Sequence, residues 1–287
     1  MSRAAALRVR FWGVRGSHPA PGPSTVRVGG NSSCVEVDAG GSILVFDAGT
    51  GIIPLGHDLL QRRGTRAVHI FLSHTHHDHI EGLRFFQPIY RPGWKCYLYG
   101  AGSGPKTLEH ILAGLLRPRL FPVSYAELPN RLSIQSLGAH ARIQLRGSPR
   151  VSVVARHSRA HPKVGVTLYR VTCGRRSVVY ATDVEAPKSG YADVVEFARG
   201  ADVLIHDAQY TDAEYFSAGL HKVGWGHSTA RMAAEAASAA GVGELVLFHH
   251  DPSHDDAEVR RLERLARHVF PRTRAATEGL ELRLAAR

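Results

Sequence analysis

Apolar residues in this chain fall into short runs separated by Gly, Asp, Asn and Pro rather than into long amphipathic stretches. Runs at 9–12, 34–37, 43–46 and 68–72 are rich in Val, Ile, Leu and Phe and predict strands. The second half repeats the scheme, with strands predicted at 151–155, 164–171, 177–181, 203–205 and 245–248. Residues 281–284 alternate apolar and polar and predict a last strand. Helical spacing appears at 52–62, 107–116, 192–198, 229–240 and 256–269. Ser228 is placed to cap the Ala-rich helix and Gly241 to close it. The Pro/Gly-rich stretch 13–30 is flanked closely by strands and reads as a loop, not a linker. Early strands follow one another and later ones alternate with helices. That order predicts mixed β-sheets flanked by helices, in one α/β domain over 1–287.

Against this pattern stands one dense chemical cluster. His74-Thr75-His76-His77-Asp78-His79 follows directly on the predicted strand 68–72. Three other predicted strands also run into ligand-type residues: 151–155 into His157 and His161, 177–181 into Asp183, and 245–248 into His249 and His250. In open sheets, ligands gather outside the carboxyl ends of strands. Four such ends on one rim predict a site for two metal ions. Imidazole and carboxylate together suit zinc, with manganese or iron as alternatives, better than calcium or magnesium. His77 points away from its neighbours if the turn is tight. Asp47 is placed to orient a ligating His or to cap its own turn.

His74-x-His76-x-Asp78-His79 resembles the signature of the metallo-β-lactamase superfamily. The likeness extends along the chain through Phe11-Trp12-Gly13-Val14-Arg15-Gly16-Ser17, Gly29-Gly30-Asn31-Ser32-Ser33, Phe46-Asp47-Ala48-Gly49-Thr50-Gly51, Tyr180-Ala181-Thr182-Asp183, Gly226-His227-Ser228-Thr229 and Leu247-Phe248-His249-His250-Asp251-Pro252. These motifs resemble the phosphodiesterase-like branch, related to cyclic phosphodiesterases and to the tRNA 3′-processing endonucleases known as tRNase Z. The resemblance implies an αββα sandwich, two mixed sheets flanked by helices. It implies one metal held by His74, His76 and a later His, a second held by Asp78, His79 and His249, and Asp183 bridging them. His161 is preferred to His157 as the later His because Pro162 follows it. His249 is preferred to His250 because it comes first after the apolar run.

Two cations lower the pKa of a water between them toward neutrality and polarise a phosphoryl oxygen. The resemblance makes His227 the proton donor to the leaving group, with Asp207 orienting it; relatives carry Glu there, so the shorter Asp leaves the reach open. The expected function is hydrolysis of a cyclic nucleotide or other small phosphodiester, with Asp78, His227 and Asp207 as catalytic residues. The alternatives are lactone, thioester or amide hydrolysis, and tRNA 3′ processing. The last would need an arm to grip tRNA, and only 118–149 offers room. Arg15, Ser17, Asn31 and Ser32 are candidates for phosphate contact.

Composition narrows this only slightly. The net charge of +11 suits a phosphate substrate, but the basic residues are scattered, so nucleic acid is allowed and not favoured. The three cysteines are far apart and form neither a disulfide framework nor a Cys-x-x-Cys site. No apolar run is long enough to span a bilayer, and the first residues lack a signal-peptide core, so the expectation is a cytoplasmic protein without membrane contact. The resemblance allows a homodimer, and the sequence itself does not show the oligomeric state.

Overall fold

The computed structural model describes residues 7–64, 66–101, 105–128, 132–145, 151–185 and 191–286. Strands β1 (Leu7–Gly13), β2 (Cys34–Ala39), β3 (Ser42–Phe46), β4 (Ala67–Leu72), β5 (Lys95–Ala101) and β6 (Ser133–Leu137) belong to the first sheet. Strands β7 (His140–Gln144), β8 (Val151–Ser158), β9 (Val166–Cys173), β10 (Arg176–Ala181), β11 (Val203–Asp207), β12 (Glu244–Phe248) and β13 (Thr273–Ala275) form the second. The last strand, β14 (Glu281–Leu284), returns to pair antiparallel with β1. The sheet orders are β14-β1-β2-β3-β4-β5-β6 and β13-β12-β11-β10-β9-β8-β7. Both are mixed, antiparallel on one side and parallel on the other.

The inner faces of the two sheets share one core, in which Phe46, Phe71, Tyr169, Tyr180 and Phe248 meet. The outer face of the first sheet packs under α1 (Ile52–Gln61) and α3 (Pro105–Leu115). The outer face of the second packs under α4 (Tyr191–Ala198), α6 (Ala230–Ala240) and α7 (Asp256–Val269). Two short helices, α2 (His77–Ile80) and α5 (Asp212–Tyr215), sit at the rim. Strands covered on both faces lose the polar alternation of a half-exposed sheet, which is why 43–46 and 245–248 are continuously apolar. The result is the helix–sheet–sheet–helix sandwich that the resemblance implies.

Two details differ from the sequence reading. The N-cap of α6 is Thr229, whose side chain accepts from the Met232 N–H at 3.3 Å; Ser228 instead spends its hydroxyl on the Val184 carbonyl. Gly241 does close the helix, in the left-handed region. Strands β5, β6, β7 and β13 lie outside the predicted set. β6 and β7 are edge strands with polar, largely exposed faces, and β13 has 3 residues, so their hydrophobic signal is weak. Cys34, Cys96 and Cys173 are all buried and free, consistent with packing roles.

At the end of the first sheet away from the ligand cluster, His69 stacks on Tyr97 at 4.7 Å between ring centroids and contacts the Tyr99 hydroxyl at 3.1 Å. Burial holds its imidazole down at about 4, against an ordinary 6.5. Between those two values the unfolded chain binds the extra proton and the folded one does not. Stability contributed by neutral His69 is therefore full above 6.5 and is lost as the pH falls toward 4. His69→Phe should reduce the loss of stability between pH 7 and pH 5, read as the shift in urea midpoint. The same shift in variant and wild type would discard this role.

Candidate functional site

The site is built where four parallel or neighbouring strands stop. Asp47 follows β3, Ser73 and His74 follow β4, Asp183 lies just past β10, and His249 follows β12. Asp47, Asp183 and His249 turn the chain with φ of 61°, 54° and 61°. Few non-glycine residues adopt this left-handed region, Asp and His more readily than most, and such strain gathers at functional sites. After β4, His76 stands extended ahead of α2, solvent-exposed yet with its Nδ1 facing His161, while Asp78 and His79 are buried. His77 is exposed and joins no group of ligand atoms, as a tight turn requires.

Asp47 is fully buried and anchors this turn. Its Oδ1 accepts from the Ser73 backbone N–H at 2.7 Å. Its Oδ2 accepts from the Ser73 hydroxyl at 2.8 Å, the Tyr180 hydroxyl at 2.7 Å and His79 Nδ1 at 2.7 Å. Other outer ring nitrogens are engaged in the same way. His249 Nδ1 meets Gln209 Oε1 at 3.0 Å, and His161 Nδ1 meets the Gly226 carbonyl at 3.2 Å. With Nδ1 donating outward, each neutral ring presents an Nε2 lone pair inward.

Those inward nitrogens crowd together. His79 Nε2 lies 3.2 Å from His249 Nε2, and His161 Nε2 lies 3.3 Å from His76 Nδ1. His74 Nε2 is buried without a hydrogen-bond partner, 3.7 Å from Asp183 Oδ1. Asp183 Oδ2 is 3.3 Å from both His79 Nε2 and His249 Nε2, and Asp78 Oδ2 is 3.1 Å from the same two atoms. Lone pairs this close repel unless a cation lies between them. Burial opposes charge on Asp78, but His79 and His249 hold it well below the usual carboxylate range. Asp183 is likewise buried and is held low by His249, His79 and His74. Burial also opposes charge on His79, and Asp78 and Asp183 override it to raise the ring well above its ordinary value. Burial and His79 push His74 down. Metal binding displaces protons from such a cluster.

Ligand-type atoms within 4.8 Å of one another form four groups among the described residues: His74, His76 and His161; His74, His79 and Asp183; Asp78, His79 and His249; and Asp183, Asp207, His227 and His249. The groups overlap through His74, His79, His249 and Asp183, and the two oxygens of Asp183 face different imidazoles. The residues therefore fit two neighbouring cations. In the last group, both Asp207 oxygens are already engaged. Oδ1 accepts from the Ser228 N–H at 2.9 Å and the Gln209 N–H at 3.2 Å, and Oδ2 accepts from His227 Nδ1 at 2.7 Å and the Asp183 N–H at 3.2 Å. The shorter Asp thus reaches His227. Burial works against charge on His227, and the charge and hydrogen bond of Asp207 outweigh it, raising the ring to about 9.

Several sequence candidates fall elsewhere. His157 lies within β8, which runs on through Ser158, and packs over Gly165; it joins no ligand group. His250 donates or accepts nothing at the cluster, its Nε2 meeting the Ala276 carbonyl at 3.0 Å. The buried Arg15 is spent on the carbonyls of Gly29, Asp251 and His254. Asn31 is held by Glu278 and Ser32 by Glu81. Only Ser17 of that set reaches the site, donating its N–H to Asp78 Oδ2 at 2.8 Å and accepting from Gln209 Nε2 at 3.2 Å. Gln209 and Ser73 are not singled out by the sequence, and Tyr180 opens a quoted motif without being given a role. Amide and hydroxyl residues are too common to mark a site by themselves.

Residues 43–250 match the model of the β-lactamase superfamily domain. The chain is 30% identical over 323 aligned positions to a protein named Ribonuclease Z from Gemmatimonas aurantiaca, covering 97% of this chain and 96% of that one. In fold it is similar to the metallo-β-lactamase fold protein YhfI from Bacillus subtilis, with a TM-score of 0.69 and 20% identity over 97% of this chain and 99% of that one. It is also similar to yeast PDE1, with a TM-score of 0.68 and 14% identity over 98% and 99%. No described helix is long and apolar enough to cross a membrane. With this fold, this cluster and these relatives, the chain belongs to the metallo-β-lactamase superfamily, in its phosphodiesterase-like branch, and is a metal-dependent hydrolase.

Proposed function

We propose that the bond this protein cuts is a phosphodiester. The observation that carries the reading is the buried His227–Asp207 pair, 2.7 Å apart, set beside the His/Asp cluster. His74, His76 and His161 would hold one cation, and Asp78, His79 and His249 the second, with Asp183, whose oxygens face His74 and His79, between them. Zinc suits this donor set, and manganese or iron are the alternatives. When bound, such cations supply an activated water and neutralise charge that builds at phosphorus. Asp47 and Gln209 hold His79 and His249 with their Nε2 atoms inward. Asp207 accepts at Nδ1 of His227 and leaves Nε2 to carry a proton to the departing oxygen.

The relatives' names support RNA as the substrate better than the small phosphodiester expected from the sequence, and they move tRNA 3′ processing ahead of it. The net charge of +11 is compatible with a polyanion. One observation favours the small substrate as a second reading. In the described part of segment 118–149, Phe121, Val123 and Tyr125 pack against the outer core of the first sheet and β6 and β7 finish the two sheets as edge strands, so no projecting arm occurs among its described residues. Residues 129–131 and 146–149 lie outside the described set. The 323 aligned positions also outnumber the 287 residues of this chain by 36, so the Gemmatimonas relative has at least that many positions without a counterpart here.

Metal-loaded protein should hydrolyse bis(p-nitrophenyl) phosphate, with activity falling at least about 100-fold in Asp78→Ala. Cleavage of a precursor tRNA beside it would fix the RNA reading; aryl diester turnover without it would favour the small substrate. Lactone or thioester turnover by metal-loaded protein inert to both phosphodiesters would overturn the proposal. His227→Ala should lower turnover of nucleoside leaving groups by about 10²–10⁴ and of p-nitrophenyl esters far less, with metal content unchanged. Equal losses on the two substrate types would rule out proton donation. Asp47→Asn should weaken metal binding by about 10–100-fold in chelator competition, since the amide cannot serve all four donors; unchanged affinity would remove Asp47 from the metal's support.

A further inference from the structure

The segment that leads into His227 exposes large apolar side chains while its backbone is firmly held. Phe216, Leu220, Val223 and Trp225 are all exposed, Trp225 at 46%. The other two tryptophans, Trp12 and Trp94, are 9% and 7% exposed. Beneath this segment the buried Glu185 carboxylate accepts from the Gly224 N–H at 2.5 Å, the Gly226 N–H at 3.0 Å and the Tyr215 hydroxyl at 2.7 Å. Gly226, at φ +94°, has no room for a Cβ, which would fall 2.3 Å from His161 Nδ1. The indole thus stands on a rigid stem against the site rather than on a loose loop.

Its surroundings are those of a platform. The Lys222 ammonium lies 3.9 Å from the Trp225 ring centroid and 5.6 Å from that of Tyr210. Tyr210 in turn meets His227 edge-on, 5.8 Å between centroids. Trp225 and His227 are two residues apart, so their Cα atoms are at most about 7 Å apart. Lys222 has no ion pair among the described residues. A half-exposed indole with an ammonium on one face, next to the group placed to protonate a leaving alcohol, matches a nucleotide: a base to stack on the indole's other face and a phosphate to attract the ammonium.

We propose that Trp225 and Lys222 form a base-stacking subsite on the leaving-group side, so that the substrate carries a nucleobase there. The inference rests on the phosphodiesterase reading for its place in the reaction, but not for its test. Metal-loaded protein should bind adenosine 5′-monophosphate about tenfold more tightly than ribose 5-phosphate, measured by calorimetry. Trp225→Ala should erase that preference. Trp225→Phe should keep most of it, which guards against a folding artefact. Lys222→Gln should weaken both ligands and flatten their salt dependence. Equal affinity for the two phosphates in the wild type, or a preference that survives Trp225→Ala, overturns the subsite. If phosphodiester hydrolysis fails but the preference is present and needs Trp225, the platform stands and the reaction assignment falls. If hydrolysis succeeds and the preference is absent, the platform alone falls.

Discussion

Asp47 is the constraint on which the site depends. A carboxylate buried this completely is tolerable only if its oxygens are fully hydrogen-bonded, and removal of one partner leaves charge in a low-dielectric interior. The four donors come from three places: two from Ser73 after β4, one from Tyr180 on β10 in the opposite sheet, and one from His79 on α2. No small slide of one sheet against the other can preserve that set. Satisfying one charge therefore fixes how β3, β4, α2 and β10 meet, and it fixes the His79 tautomer as well. The apolar interface between the sheets drives association without choosing a register this finely.

The same logic continues outward. Asp207 is as buried as Asp47 and has four donors of its own, three of them the backbone N–H groups of Ser228, Gln209 and Asp183. Those bonds tie the end of β11 to the loop that carries His227 and to Gln209, which orients His249. The two carboxylates therefore hold opposite sides of one cluster. Between them, Asp78 and Asp183 put negative charge where the inward imidazole nitrogens converge. The left-handed turns at Asp47, Asp183 and His249 are the conformational cost of bringing side chains from three strand ends to one point.

How much of this was legible follows from how local each signal is. The cluster from His74 to His79 could be read because a strand and a tight turn compress ligand-type residues into six positions. Asp183, His249 and His161 could be read because each follows an apolar run on a motif that is itself recognisable. Gln209 could not, because its role depends on β11 and β12 lying side by side, a pairing distant in sequence. The strands β6 and β7 were missed for a related reason: as edges they need only one apolar side, and their polar residues mimic a loop. The phosphate-binding reading of Arg15 failed because a guanidinium can equally satisfy carbonyls of its own loop and of the loop after β12, and residue type does not distinguish these uses.

That failure leads to a general feature of the rim. Its loops are braced from within by buried charged side chains, Arg15 below the segment that carries Ser17 and Glu185 below the segment that carries Trp225. Glu278 plays the same part for Asn31. Apolar bracing would have drawn the large side chains of these loops inward to make its contacts. Bracing by hydrogen bonds to backbone groups leaves the side chains free to face outward while the chain beneath them stays fixed. The rigid exposure of an indole beside His227 is then a consequence of how the loop is held, and a rim of that kind recognises ligands without first having to order itself.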